Sequence, residues 1–153
     1  MAATGRARRH DAGFTLVESM IALFLLSFIV AEMAMVSIYA TRSSQLARQI
    51  TKANMLADIA VEKSRNRAYA SLQIPIPDLA ESCAIATNVA TCTSNALIEG
   101  VYTRVRTVTP LDAANAVTAL TGSRKADVVA TVTFTDARGA AQRVSVASVV
   151  TSY

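Results

Sequence analysis

Side chains able to make or break bonds are few in this chain, and their placement narrows what they do. The only histidine, His10, lies among Arg6, Arg8 and Arg9 near the N-terminus. A hydroxyl or thiol nucleophile needs a base within hydrogen-bond reach, and the rest of the chain offers no imidazole. No Gly-rich phosphate loop and no ligand cluster with metal-binding spacing occur. Asp127 and Asp136 flank an alternating run and read as turn residues rather than an acid–base pair. The expectation is therefore a protein that is not an enzyme, with no cofactor, no metal and no small-molecule substrate.

Cys83 and Cys92 are the only cysteines. They are close enough in sequence to close one short loop. In an oxidising compartment such a bridge contributes about 2–3 kcal/mol through the entropy of the unfolded chain. The competing reading, a two-ligand half of a metal site, is poor because His10 is the sole imidazole.

The elements that carry these residues start with an apolar run. The 153-residue chain is 52% hydrophobic, with a mean hydropathy of +0.36, and much of that excess lies in residues 14–40. This run has no Lys, Arg, Gly or Pro, and its only charges are Glu18 and Glu32. As a helix it extends roughly 30–40 Å, enough to cross a bilayer core. The preceding arginines predict a cytoplasmic N-terminus and an external C-terminal part. A carboxylate in hydrocarbon costs about 2.5–3.5 kcal/mol on insertion scales. Glu18 lies near the helix start, where the dipole and interfacial water lower that cost. Glu32 falls at the far interface or meets a polar partner on a neighbouring helix.

The formal charge is +4, and removing residues 1–13 leaves 12 basic against 10 acidic residues. No basic patch is interleaved with aromatics and there is no Trp, so nucleic-acid binding is not expected. Residues 41–74 continue the helix with a new character. Leu46, Ile50, Ala53, Ala57, Ala60 and Val61 share a face at three- and four-residue steps, and the charges lie mostly elsewhere. No Gly or Pro interrupts residues 14–74, which predicts one helix roughly 80 Å long, ended by Pro75 and Pro77. Residues 78–100 read as an irregular connection holding the cysteines. Residues 101–109, 127–135 and 143–150 read as strands, the last two forming a hairpin around Gly139. Arg104 and Arg106 fall on one strand face and read, with Arg124 and Lys125, as solvated positions. The fold expected is α+β: a long N-terminal helix whose stripe at 46–61 covers an antiparallel sheet of three or four strands.

Gly13-Phe14-Thr15-Leu16-Val17-Glu18, after a short basic leader and before an apolar helix, closely resembles the class III signal of type IV pilins and type II secretion pseudopilins. The resemblance implies a pilin-like fold and cleavage by a prepilin peptidase between Gly13 and Phe14. It implies N-methylation of Phe14 and an assembly role for Glu18, which sets register against the new N-terminus of a neighbouring subunit. The implied division is a leader (1–13), a transmembrane and assembly half-helix (14–40), an amphipathic half-helix (41–74) and a periplasmic head (75–153). The implied partners are other major and minor pilins, met through the N-terminal helix, with the peptidase and the inner membrane. The implied location is the inner membrane, in a single pass, and then the pilus. Major pilins commonly carry a Pro in the second half of the apolar run, and this chain has none. The opening Thr15-Leu16-Val17-Glu18-Ser19-Met20 is most similar to PilV-type minor pilins. A minor pseudopilin is the alternative. In a competence-type pilin, Arg104, Arg106, Arg124 or Lys125 would touch DNA.

Overall fold

The computed structural model describes residues 15–152. Its elements are one long helix, α1 (Leu16–Arg65), and five strands: β1 (Glu81–Ala86), β2 (Val89–Ser94), β3 (Thr103–Leu111), β4 (Lys125–Thr135) and β5 (Ala141–Thr151). The chain divides into two compact units, residues 1–41 and 42–153. In the first, the described residues are the opening of α1. The second holds the remainder of α1 and all five strands.

Helix α1 forms because 50 consecutive residues contain neither Gly nor Pro and are rich in Ala, Leu, Met, Lys and Arg, the strongest helix formers. It ends at Arg65, nine residues before the expected Ile74. No breaker lies there, and the cause is tertiary. Arg67 donates from Nη1 to the Pro75 carbonyl at 2.9 Å. The Tyr69 hydroxyl meets that of Ser123 at 2.5 Å, and Leu72 is fully buried. These contacts turn the chain back onto the sheet earlier than Pro75 requires, and one 3₁₀ turn, Tyr69–Ser71, occupies the corner.

The sheet is an antiparallel meander in the order β1-β2-β3-β4-β5. It has two more strands than the three that periodicity marks out, because residues 81–94 form a hairpin rather than an irregular connection. Its two-residue loop, Thr87-Asn88, has both residues at positive φ (49° and 66°). That is the left-handed pair a tight primed hairpin turn demands. At the other hairpin, Asp136 organises the loop. Its Oδ1 accepts from the Arg138 and Ala140 N–H groups at 2.8 and 2.9 Å, and Gly139 supplies φ 79°. Asp127 is not a turn residue: it lies within β4, opposite Val149. A second 3₁₀ turn, Pro77–Leu79, follows Ile76 at its N-cap position, and its Asp78 pairs with Lys63 Nζ at 3.2 Å.

Alternation sets the inner face. Along β3 the buried positions are Arg104, Arg106, Val108 and Pro110; along β4 they include Val128, Ala130, Val132 and Phe134. The stripe on α1 covers this face as the pattern predicts. Ala53, Ala57, Ala60 and Val61 form one core cluster with Tyr102, Ala130, Val132 and Phe134, flanked by half-buried Leu46 and Ile50. The small alanines let helix and sheet approach closely. Tyr102 and Phe134 fill the gap, with ring centroids 5.5 Å apart. A second cluster, Leu72, Ala90, Val108, Ala126 and Val128, closes the other end.

Candidate functional site

The site indicated by sequence begins at the start of α1. Gly13 and Phe14, the cleavage and methylation positions, lie outside the described residues. Thr15 stands at the helix N-cap. Its Oγ1 accepts from the Glu18 N–H at 3.3 Å, and its carbonyl accepts from the Ser19 N–H at 3.1 Å. Thr15-Leu16-Val17-Glu18 has the spacing of a capping box, a signal legible from residue types alone. Glu18 is exposed in the first turn, where the helix dipole favours a carboxylate by about 0.3–1 kcal/mol. Among the described residues no cation pairs with it.

From Leu16 onward the helix presents apolar side chains in every direction. Leu16, Leu23, Phe24, Met33 and Met35 are all at least 66% exposed. The most apolar 18-residue window of α1 has a mean hydropathy of 2.4 and no buried residues, so this helix is long and apolar enough to cross a membrane. A helix apolar all round is solvated by lipid or by other helices. Glu32 follows Glu18 by 14 residues, which places it about 21 Å further along and within about 40° of the same side.

The remaining sequence candidates come together in the second unit, in a role that charge and spacing did not suggest. Cys83 and Cys92 face each other in the β1–β2 register and are joined as a disulfide. The same row continues across β3 at Arg106 and β4 at Ala130. Arg106 is not solvated but wholly buried. Its Nη1 donates to the Leu72 carbonyl at 2.7 Å and its Nη2 to the Ile74 carbonyl at 3.1 Å. Its guanidinium also pairs with the Glu81 carboxylate, and Glu81 Oε1 accepts from the Ile76 N–H at 3.0 Å. Arg104 is buried too, donating from Nη2 to the Leu79 carbonyl at 2.8 Å. Burial pushes its pKa down from the ordinary arginine value and the nearby Glu81 opposes that shift. Neither arginine presents a cation at the surface, which removes both from any nucleic-acid reading. Lys125 contacts Asn115, and Arg124 is exposed in the loop before β4. Glu81 was missed by sequence reasoning because it lay in a stretch without visible periodicity.

Residues 8–31 match the family model of the prokaryotic N-terminal methylation motif. No curated protein and no solved structure gives a significant match. The matched span contains Gly13, Phe14, Glu18 and the first two thirds of the apolar run. Motif and architecture together support a type IV pilin-like or pseudopilin-like protein. Proteins of this motif family are structural, pilin-type subunits, and a single apolar N-terminal helix is consistent with membrane anchoring of such a subunit.

Proposed function

We propose that the chain is a PilV-type minor pilin, a structural subunit that initiates or caps a type IV pilus. It is made as a prepilin in the inner membrane, with a cytoplasmic N-terminus and a periplasmic head. A prepilin peptidase removes residues 1–13 by cutting between Gly13 and Phe14, and Phe14 is then N-methylated. The observation that carries this reading is the methylation motif running directly into a helix whose apolar side chains are exposed all round.

The cut precedes the apolar run, so the run stays on the mature protein. An ordinary signal peptidase would cut after such a run and discard it. The retained helix serves first as a membrane span and then as the element that packs among other pilin helices. Glu18, four residues after the new cationic N-terminus, pairs with the amine of a neighbouring subunit. A misplaced register leaves a buried charge without its partner, at a cost of about 3–5 kcal/mol. The absence of Pro from residues 14–40 favours a minor over a major subunit.

A minor pseudopilin of a type II secretion system shares these features, and one experiment separates the two. Surface filaments are sheared from cells and probed for the mature chain, and a deletion strain is scored for filaments and for exoprotein secretion. The expected result is the mature chain at low stoichiometry in the filaments and a loss of filaments on deletion. Normal filaments with lost secretion would overturn the pilus assignment in favour of the pseudopilus.

A further inference from the structure

The apolar run carries a second carboxyl, Glu32, within the uninterrupted helix α1. The residues one turn from it are Phe28, Ile29, Met35 and Val36, so its own helix offers it no partner. Among the described residues no cation pairs with it. The next cation along the chain, Arg42, is ten residues on, about 15 Å away. With residues 14–40 centred in a bilayer, Glu32 lies about 7–8 Å beyond the middle. That is inside a hydrocarbon core about 15 Å deep on each side. An acid at that depth is costly to insert and faces a partner in a helix bundle rather than lipid.

The spacing from Glu18 says where that partner stands. Fourteen residues separate the two acids. That is two whole heptads, the repeat along which helices crossing in a left-handed sense stay in contact. Glu18, Leu25 and Glu32 alternate with Ile21 and Phe28 at steps of three and four residues, and together they make one seam. A neighbouring helix that brings its N-terminal amine to Glu18 is displaced by four residues, about 6 Å. The same displacement brings its fifteenth residue, counted from the mature N-terminus, level with Glu32. In a second copy of this chain that residue is Phe28, which has no polar hydrogen to donate.

We propose that Glu32 selects the neighbouring subunit: the helix on this seam belongs to a different pilin-type subunit, with a lysine or arginine at its fifteenth mature residue. This rests on the pairing of Glu18 with a neighbouring amine given under the proposed function. Glu18 recognises a group that every processed subunit carries, so it sets register without choosing between partners. Glu32 recognises a side chain, so it chooses. The same carboxyl disfavours a second copy, whose Phe28 leaves it unpaired in hydrocarbon.

The test uses full chains processed by a coexpressed prepilin peptidase and reconstituted in phospholipid vesicles. Association is read as energy transfer between C-terminally labelled heads, and carbonate extraction verifies insertion of each variant. The natural chain is mixed with a copy carrying Glu32→Leu, and with the same copy carrying Phe28→Lys in addition as a stand-in for the partner. The added lysine is expected to tighten association about five- to thirty-fold, the range of a polar contact between membrane helices. Phe28→Gln, a neutral donor, is expected to give a smaller gain. Both gains should vanish when the natural chain also carries Glu32→Leu, and lysine at Ile21 or Met35, one heptad away, should give none. No gain from either substitution at Phe28, a gain that survives Glu32→Leu, or an equal gain from lysine at Ile21 or Met35 would overturn the selection. Mass spectrometry of the same samples separates this from the pilin reading. An intact Met1 fails that reading, whereas a methylated Phe14 with no gain at Phe28 fails the selection alone.

Discussion

Arg106 on β3 reaches across β2 to the carboxylate of Glu81 at the start of β1, and the two side chains are 0% and 1% exposed. The pair also anchors the segment between α1 and β1, since Arg106 bonds the Leu72 and Ile74 carbonyls and Glu81 the Ile76 N–H. Removing one member of a buried pair strands the other charge, at about 3–5 kcal/mol. Glu81→Leu is therefore expected to lower the stability of the head by that amount, a large share of a typical domain's total. The double variant Glu81→Leu/Arg106→Met is expected to be less destabilised than the single, because no charge remains buried. Denaturant titration of the detergent-purified chain by circular dichroism checks both. A double variant worse than the single would contradict the charge argument.

The α1 stripe makes a second prediction. Ala57 is wholly buried within the cluster that holds Tyr102 and Phe134. Ala57→Leu forces helix and sheet apart and is expected to cost about 1–3 kcal/mol. The same change at exposed Met55 is expected to stay within about 0.5 kcal/mol. Thermal melts of the two variants provide the comparison.

Asp136 gives the head a pH-dependent hairpin. The Ala140 N–H, and after it the Arg138 N–H and the Gln142 amide, hold its carboxyl below the usual range. A group with a depressed folded pKa stabilises the fold above its unfolded value and loses that contribution as pH falls through the folded one. The stability difference between the natural chain and Asp136→Ala is thus expected to be constant near neutral pH. It should shrink below about pH 4 and vanish in stronger acid. Melting temperatures of both proteins across that window test this, and a difference that grows on acidification would contradict it.

Much of this architecture was legible in the residues, for identifiable reasons. Val128, Ala130, Val132 and Phe134 alternate without interruption, so β4 and its inner face follow from period two. The stripe from Leu46 to Val61 follows from period 3.6. What was not legible depended on tertiary contacts. Residues 81–94 carry no clean alternation, and the hairpin there rests on left-handed Thr87 and Asn88 and on the disulfide between opposed Cys83 and Cys92. Period two also puts Arg104 and Arg106 on one face of β3. That this face is the inner one depends on Glu81 and three backbone carbonyls, which no local pattern announces. The helix end at Arg65 likewise reflects contacts made by Arg67, Tyr69 and Leu72 rather than a breaker.

The register role proposed for Glu18 makes a further prediction. Glu18→Ala is expected to leave processing and membrane insertion intact while reducing recovery of the chain in sheared filaments by about a hundred-fold or more, the scale of an unpaired buried charge. Immunoblots of membrane and filament fractions give the ratio. Unchanged incorporation would remove the register role.

The central claim is that the chain is a processed prepilin whose apolar helix begins the mature protein. Mass spectrometry of the mature N-terminus tests it directly. The account predicts a chain that starts at N-methylated Phe14 and retains residues 14–40, and it predicts that Gly13→Val abolishes this product. An intact Met1, or a start beyond the apolar run near Thr41, would contradict it.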